Sequence, residues 1–383
     1  MSAHHQPKLR RTFSGTRISR VFLPDELIME VLSFLSVKYL MRFKCVCKSW
    51  KTIISDPTFV KLHLKISARN KHLALFSILF RHSSYFSIAG FSLCRLLKNK
   101  SINLANKPNF RLKDVYGFLY PVGSCNGLLC LFGYFSINNY EETLLYLWNP
   151  ATRTLSDKIL FLRQYELTNE VRVFSFGDKV WRNIQSFPMV PVFHTHSLHE
   201  SSIKHGVHVN GTLNWLGIQS EFHNEHQIDW KHISNDKFVI ISLDLSTEAY
   251  CQLLPPRGFD KVSCVQPTLV VLLDSLCLSH DFNGTDFIIW QMKEFGVQES
   301  WIRLLKISYW SLTKLPYDHR LSLFPLCLYE NNDTLILAWR GKKDNIIPIL
   351  YNLRNSRVKK SRLTYEIEWV LTKDYVESLV STS

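Results

Sequence analysis

The chain has 383 residues with 46 Lys+Arg against 32 Asp+Glu, a net charge of +14. Hydrophobic residues make up 46% and aromatic residues 13%, which excludes an intrinsically disordered chain. The charge is uneven: residues 1–22 hold five basic residues and no acid, residues 340–362 hold eight against one, and residues 71–339 hold 24 against 23. The long central body is therefore near neutral, which argues against a phosphate-tracking groove there. No apolar run approaches the ~18 residues of a membrane span. The basic start lacks the apolar core of a secretory signal. Nine scattered cysteines without a Cys-x-x-Cys pair read as thiols of a reducing compartment, cytoplasm or nucleus. Of these, Cys94, Cys130, Cys251, Cys277 and Cys327 sit among apolar neighbours and are expected to be buried.

After a basic leader over 1–20, a helical period begins. Leu27, Ile28, Val31, Leu32 and Leu35 form one stripe along a first helix. Pro24 suits its start, and Asp25 and Glu26 complement the positive end of its dipole. Val37 to Val46 gives a second segment and Lys48 to Ser55 a third, after which Asp56 caps a turn opened by Pro57. A unit of roughly 45 residues has too small a core to stand alone and calls for a partner or a neighbouring domain.

Past Ala68 the texture becomes that of strands. Runs such as Leu73–Phe80, Gly127–Phe132, Leu144–Trp148, Phe238–Leu243, Phe287–Gln291 and Leu335–Trp339 alternate with turn signals Asn149-Pro150, Asn210-Gly211, Asn283-Gly284 and Arg340-Gly341. No helical pattern alternates with them, so a parallel α/β sheet is not expected. A weak repeat runs through this region. A turn residue leads into a strand anchored at Leu128, Leu213, Leu276 and Leu335. A later strand ends in Trp148-Asn149-Pro150, Leu243-Asp244-Leu245 or Tyr351-Asn352-Leu353. The anchors lie 85, 63 and 59 residues apart, too uneven to count propeller blades.

No Gly-x-Ser-x-Gly elbow, phosphate-binding loop or His-Glu-x-x-His is present. Eight of the 15 histidines fall between His194 and His232 (His194, His196, His199, His205, His208, His223, His226 and His232). No carboxylate or thiolate recurs with them at a fixed spacing, so they read as a polar loop region that titrates near neutral pH. No catalytic residue, cofactor or metal site is read from the sequence. The tryptophans read mainly as packing residues, with Trp230 and Trp310 placed near turns.

The ordered run Phe22-Leu23-Pro24-Asp25-Glu26-Leu27, Val31-Leu32-Ser33-Phe34-Leu35, Phe43-Lys44-Cys45-Val46-Cys47-Lys48-Ser49-Trp50 and Ile54-Ser55-Asp56-Pro57 resembles an F-box. The resemblance implies docking to a Skp1-type adaptor and, through it, to the cullin and RING subunits of a ubiquitin ligase. It places Leu23, Pro24, Leu27, Leu35, Val46, Cys47 and Trp50 at the adaptor interface. Packing inside the module is the alternative at each of these positions, and it is the preferred reading for Val31, Leu32 and Phe43. Downstream, Gly123-Ser124-Cys125-Asn126-Gly127-Leu128-Leu129-Cys130, Leu147-Trp148-Asn149-Pro150-Ala151-Thr152-Arg153 and Asn210-Gly211-Thr212-Leu213-Asn214-Trp215-Leu216 are similar to the F-box-associated, kelch-like domain of plant F-box proteins.

The fold expected is α plus all-β: a three-helix F-box over 21–67, an antiparallel β-propeller-like domain over 68–375, and a tail over 376–383. The chain has no Gly-Gly pair, and the segment 154–170 is shorter than the family's, which leaves room for an incomplete blade. The function implied is a non-catalytic substrate receptor for an unknown target protein. A propeller-type ligand- or glycan-binding protein or enzyme, and an adaptor-binding scaffold outside any ligase, are the alternatives.

Overall fold

The fold is that of a computed structural model. It describes residues 23–69, 72–80, 86–92, 118–137, 140–157, 159–161, 171–187, 190–191, 206–218, 233–260, 265–313, 322–329, 333–340, 346–360 and 368–382. The basic leader, Cys94, Trp230, Gly341 and seven of the eight clustered histidines (all but His208) lie outside these residues.

Four helices open the chain: α1 (Asp25–Ser33), α2 (Val37–Phe43), α3 (Lys48–Ser55) and α4 (Pro57–Arg69). The fourth corrects the expectation of three, since Pro57 starts a 13-residue helix where a single turn was read. Asp56 caps it as the sequence implies: its Oδ1 accepts from Thr58 N at 2.7 Å and Phe59 N at 3.2 Å. These amides favour the carboxylate and hold its pKa below the usual range. Leu32, Val37, Leu40, Ile53, Ile54 and Phe59 form the core of the helical module. Buried His63 reaches across it, donating from Nε2 to Leu35 O at 2.9 Å.

The remainder is antiparallel sheet. The strands β1 (His72–Phe80) and β2 (Phe86–Ser92) start it. The first full blade is β3 (Phe118–Cys125), β4 (Leu128–Ile137), β5 (Tyr140–Asn149) and β6 (Thr154–Leu155), with β7 (Ile159–Phe161) also on β5. A two-stranded sheet follows, β8 (Val171–Ser175) and β9 (Val180–Ile184). The second blade comprises β10 (Val190–Pro191), β11 (Val207–Val209), β12 (Thr212–Ile218), β13 (Phe238–Asp244) and β14 (Tyr250–Leu253). The third is β15 (Thr268–Leu272), β16 (Ser275–Phe282), β17 (Asp286–Met292) and β18 (Trp301–Ser308), followed by the short helix α5 (Tyr309–Thr313). The fourth is β19 (Ser322–Tyr329), β20 (Thr334–Arg340), β21 (Ile346–Asn352) and β22 (Val358–Lys360). The last strand, β23 (Glu368–Tyr375), returns to pair with β1, so the two ends of the β region close one sheet.

Apolar faces of successive sheets pack on each other. Val209, Leu216, Phe238 and Ile240 of the second blade meet Leu269, Leu276, Leu278 and Met292 of the third. Cys277, Phe287 and Ile289 of the third meet Leu335, Leu337 and Ile349 of the fourth. The arrangement is a four-bladed β-propeller, with the small sheets β2-β1-β23 and β8-β9 besides. Among the described residues, the sheet that follows the shortened segment has two strands where the blades have four or five. It is tied to its neighbour by an ion pair from Arg182 to Glu248 and by Phe187, whose ring sits 5.2 Å from Trp215.

The weak sequence repeat is the blade repeat. Leu128, Leu213, Leu276 and Leu335 all stand near the start of the second main strand of a blade. Asn126-Gly127 and Asn210-Gly211 are two-residue hairpin turns with positive φ at both residues, the geometry that Asn-Gly favours. Asn149, Asp244 and Asn352 end the third main strand of three blades, and each folds the chain back in the same way. Oδ1 accepts from the amides two and three residues on: Ala151 and Thr152, Ser246 and Thr247, Arg354 and Asn355. The residue four positions on (Arg153, Glu248 or Ser356) then takes a positive φ. Ser246 Oγ adds a further donor to Asp244 at 2.6 Å, and these hydrogen bonds lower its pKa to about 2.

Candidate functional site

The helical module presents two faces along α1. Ile28, Leu32 and Leu35 point into the core. Leu23 just before the helix, Leu27 and Val31 on it and Phe34 at its C-terminal cap follow along an adjacent side, exposed by 59%, 48%, 66% and 70%. Val31 was expected in the core, and its exposure corrects that reading. It stands four residues after Leu27 and so shares Leu27's side of the helix, while Leu32 turns inward. The single stripe read from the sequence is thus two stripes. Among the described residues, the stripe of Ile28, Leu32 and Leu35 is the one packed against the module core.

The apolar surface extends beyond α1. Tyr39, Met41 and Val46 are exposed on α2 and the turn after it, and Arg42 lies 5.9 Å over the Tyr39 ring. Pro24 is exposed at the start of α1. Cys47 is exposed too, and its sulfur caps α3 by accepting from Trp50 N at 3.5 Å. Leu35 and Trp50 differ from the other residues placed at the interface. Both are half-buried against the module core, and Trp50 meets Phe43 edge-on at 5.1 Å. Lys44 borders this surface, where burial, with Lys51 nearby, lowers its pKa. Of the seven residues singled out in the sequence, Leu23, Pro24, Leu27, Val46 and Cys47 are open to a partner. Leu35 and Trp50 are half-buried and pack against the module core with the remainder of each side chain exposed. Val31, Phe34, Tyr39 and Met41 are the part of the surface that the sequence reading did not assign.

The propeller carries its own exposed apolar side chains, among them Phe176, Val180, Leu254, Ile302 and Trp310. Cys277 and Cys327 are buried as expected, and burial drives the Cys277 thiol up to about 12. Cys251 is exposed instead, because it lies on β14, the edge strand of the second blade. His280 is buried in the third blade. It accepts from Trp290 Nε1 at 3.2 Å and donates from Nδ1 to Asp281 O at 3.1 Å. Burial pushes its pKa down to about 4. Among the described residues no group of three or more His, Cys, Asp or Glu could hold a metal, and no helix is long and apolar enough to cross a membrane.

Comparison with known proteins agrees with this division. Residues 22–62 match the F-box domain, and residues 155–382 match the F-box associated beta propeller domain. An F-box/kelch-repeat protein of Arabidopsis thaliana is 27% identical over 318 residues, covering 74% of this chain and 79% of its own. An F-box protein of the same plant is 27% identical over 305 residues, covering 67% of this chain and 63% of its own. F-box domains generally bind Skp1 adaptors and are generally non-catalytic. With a β-propeller match spanning more than half its length behind an F-box, the chain belongs to the F-box-associated β-propeller family.

Proposed function

We propose that this chain is the substrate-recognition subunit of a Skp1-cullin-F-box ubiquitin ligase, acting in the cytoplasm or nucleus. The observation that carries the reading is the exposed apolar stripe of Leu27 and Val31 on α1 with Leu23 and Phe34 at its two ends. A small module that leaves this much apolar surface outside its own core is built to be covered by another protein. Leu23, Pro24, Leu27, Val46 and Cys47 contact the adaptor in this reading, and Leu35 and Trp50 hold the face in shape. The propeller then presents a target protein. No residue of this chain takes part in a covalent step. Its contribution is proximity, raising the target's effective concentration beside the ubiquitin-charged enzyme.

The test is binding of the full chain to a purified Skp1-type adaptor, followed by addition of cullin. The proposal expects a ternary complex, and replacement of Leu23 and Pro24 together by Ala weakens it while the propeller stays folded. Undiminished adaptor binding by that variant would remove these two residues from the interface. Adaptor binding that never recruits cullin would indicate a scaffold outside the ligase.

A further inference from the structure

Residues 376–382, read from the sequence as a tail, are packed between the helical module and the first blade. They follow β23 directly. Leu379 is buried in the helical core with Leu32, Val37, Leu40, Ile54 and Phe59, and Ala151 of the first blade packs against the same cluster. Val37 N, at the start of α2, donates to Glu377 Oε2 at 3.3 Å. From the other side, the fully buried Asn149 donates from Nδ2 to Ser378 O at 3.0 Å and to Val380 O at 2.8 Å. The Asn126-Gly127 turn closes the contact, since a Cβ on Gly127 would lie 2.4 Å from Val376 O and 2.6 Å from Ser378 Cβ.

The blade repeat shows what is special at Asn149. Asp244 builds the same turn with a carboxylate, so the turn needs only the Oδ1 acceptor. The amide nitrogen is surplus to the turn, and at Asn149 it is spent wholly on Ser378 and Val380. Only two residues, 70 and 71, join α4 to β1, and His72 pairs with Tyr375, the residue just before this segment. The module is thus attached to the propeller at one point by its linker and close by through the returning chain.

We propose that Val376–Val380 is a strap that clamps the helical module to the first blade, so that the apolar stripe of α1 is held at a fixed attitude to the propeller. The strap ties the two units together through contacts on both of them.

The test uses the full chain and the variant Asn149→Asp, which keeps the turn but sets a carboxylate against two carbonyl oxygens. Amide hydrogen exchange and small-angle scattering are read together. Exchange over 376–380 and α2 rises tenfold or more and the radius of gyration increases, while the amides of β16 and β17 keep wild-type rates. Exchange in the strap and helices within twofold of wild type, with unchanged scattering, would overturn the proposal. If Asn149→Asp loosens β3–β5 themselves, the pair Glu377→Gln and Leu379→Ser, confined to the strap, decides on the same two readouts.

Discussion

Replacing Leu27 and Val31 together by Ala separates the two faces of α1. Both side chains are about half or more exposed, so neither contributes much to the module core. Complete burial of such a side chain is worth about 1.5–3 kcal/mol, and with half of it still outstanding each offers roughly 1–1.5 kcal/mol to a partner that covers it. The double truncation should therefore cost about 2–3 kcal/mol of binding, or roughly 30- to 150-fold in Kd. Ala has the better helix propensity at both positions, so α1 itself is not weakened. Titration calorimetry of the full chain with a Skp1-type adaptor measures the loss, and thermal melting of the free chain should be nearly unchanged. Leu32→Ala is the opposite control: its side chain is buried in the core, so it should cost about 2–5 kcal/mol of module stability. A Kd within threefold of wild type for the double variant, with an intact fold, would refute the assignment of this face.

Two further outcomes concern the propeller. His280 is neutral in the fold with its pKa near 4, while an unfolded His titrates near 6.5. The unfolded chain therefore takes up the proton first, and this contribution to stability is complete above about pH 6.5 and lost as pH falls toward 4. Between pH 7.5 and 5 it amounts to about 2 kcal/mol, measurable as a fall in urea midpoint that His280→Gln reduces. Peptide mapping after brief alkylation of the native chain should find Cys45, Cys47, Cys125 and Cys251 modified and Cys277 protected, since burial both hides the Cys277 thiol and raises its pKa.

Much of the fold was legible because its signals are local. The Asn-Gly pairs at 126–127 and 210–211 need positive φ at both residues, and the hairpins form there. The anchors Leu128, Leu213, Leu276 and Leu335 mark one strand in each of the four blades, although loops of unequal length hid the period. The Asx turns at Asn149, Asp244 and Asn352 were visible as strand ends, but their shared hydrogen bonding depends on backbone geometry that composition does not carry.

The candidate site was legible in its position and less so in its facing. Apolar residues at 27, 28, 31, 32 and 35 read as one stripe because a helix with two apolar sides looks like a broad single one. Which side has a partner is decided by α3, α4 and Leu379, which pack onto Leu32 from elsewhere in the chain. The strap was illegible for the same reason. Nothing in the sequence of residues 376–382 says that Leu379 belongs to a core built by residues more than three hundred positions earlier.

The most direct measurement is affinity purification of the full chain from plant cells under proteasome inhibition, beside a form lacking residues 23–69. A substrate receptor recovers a Skp1-type adaptor and a cullin with the full chain, and the truncated form recovers neither while target proteins accumulate on it. Recovery of neither adaptor nor cullin by the full chain would contradict the ligase reading.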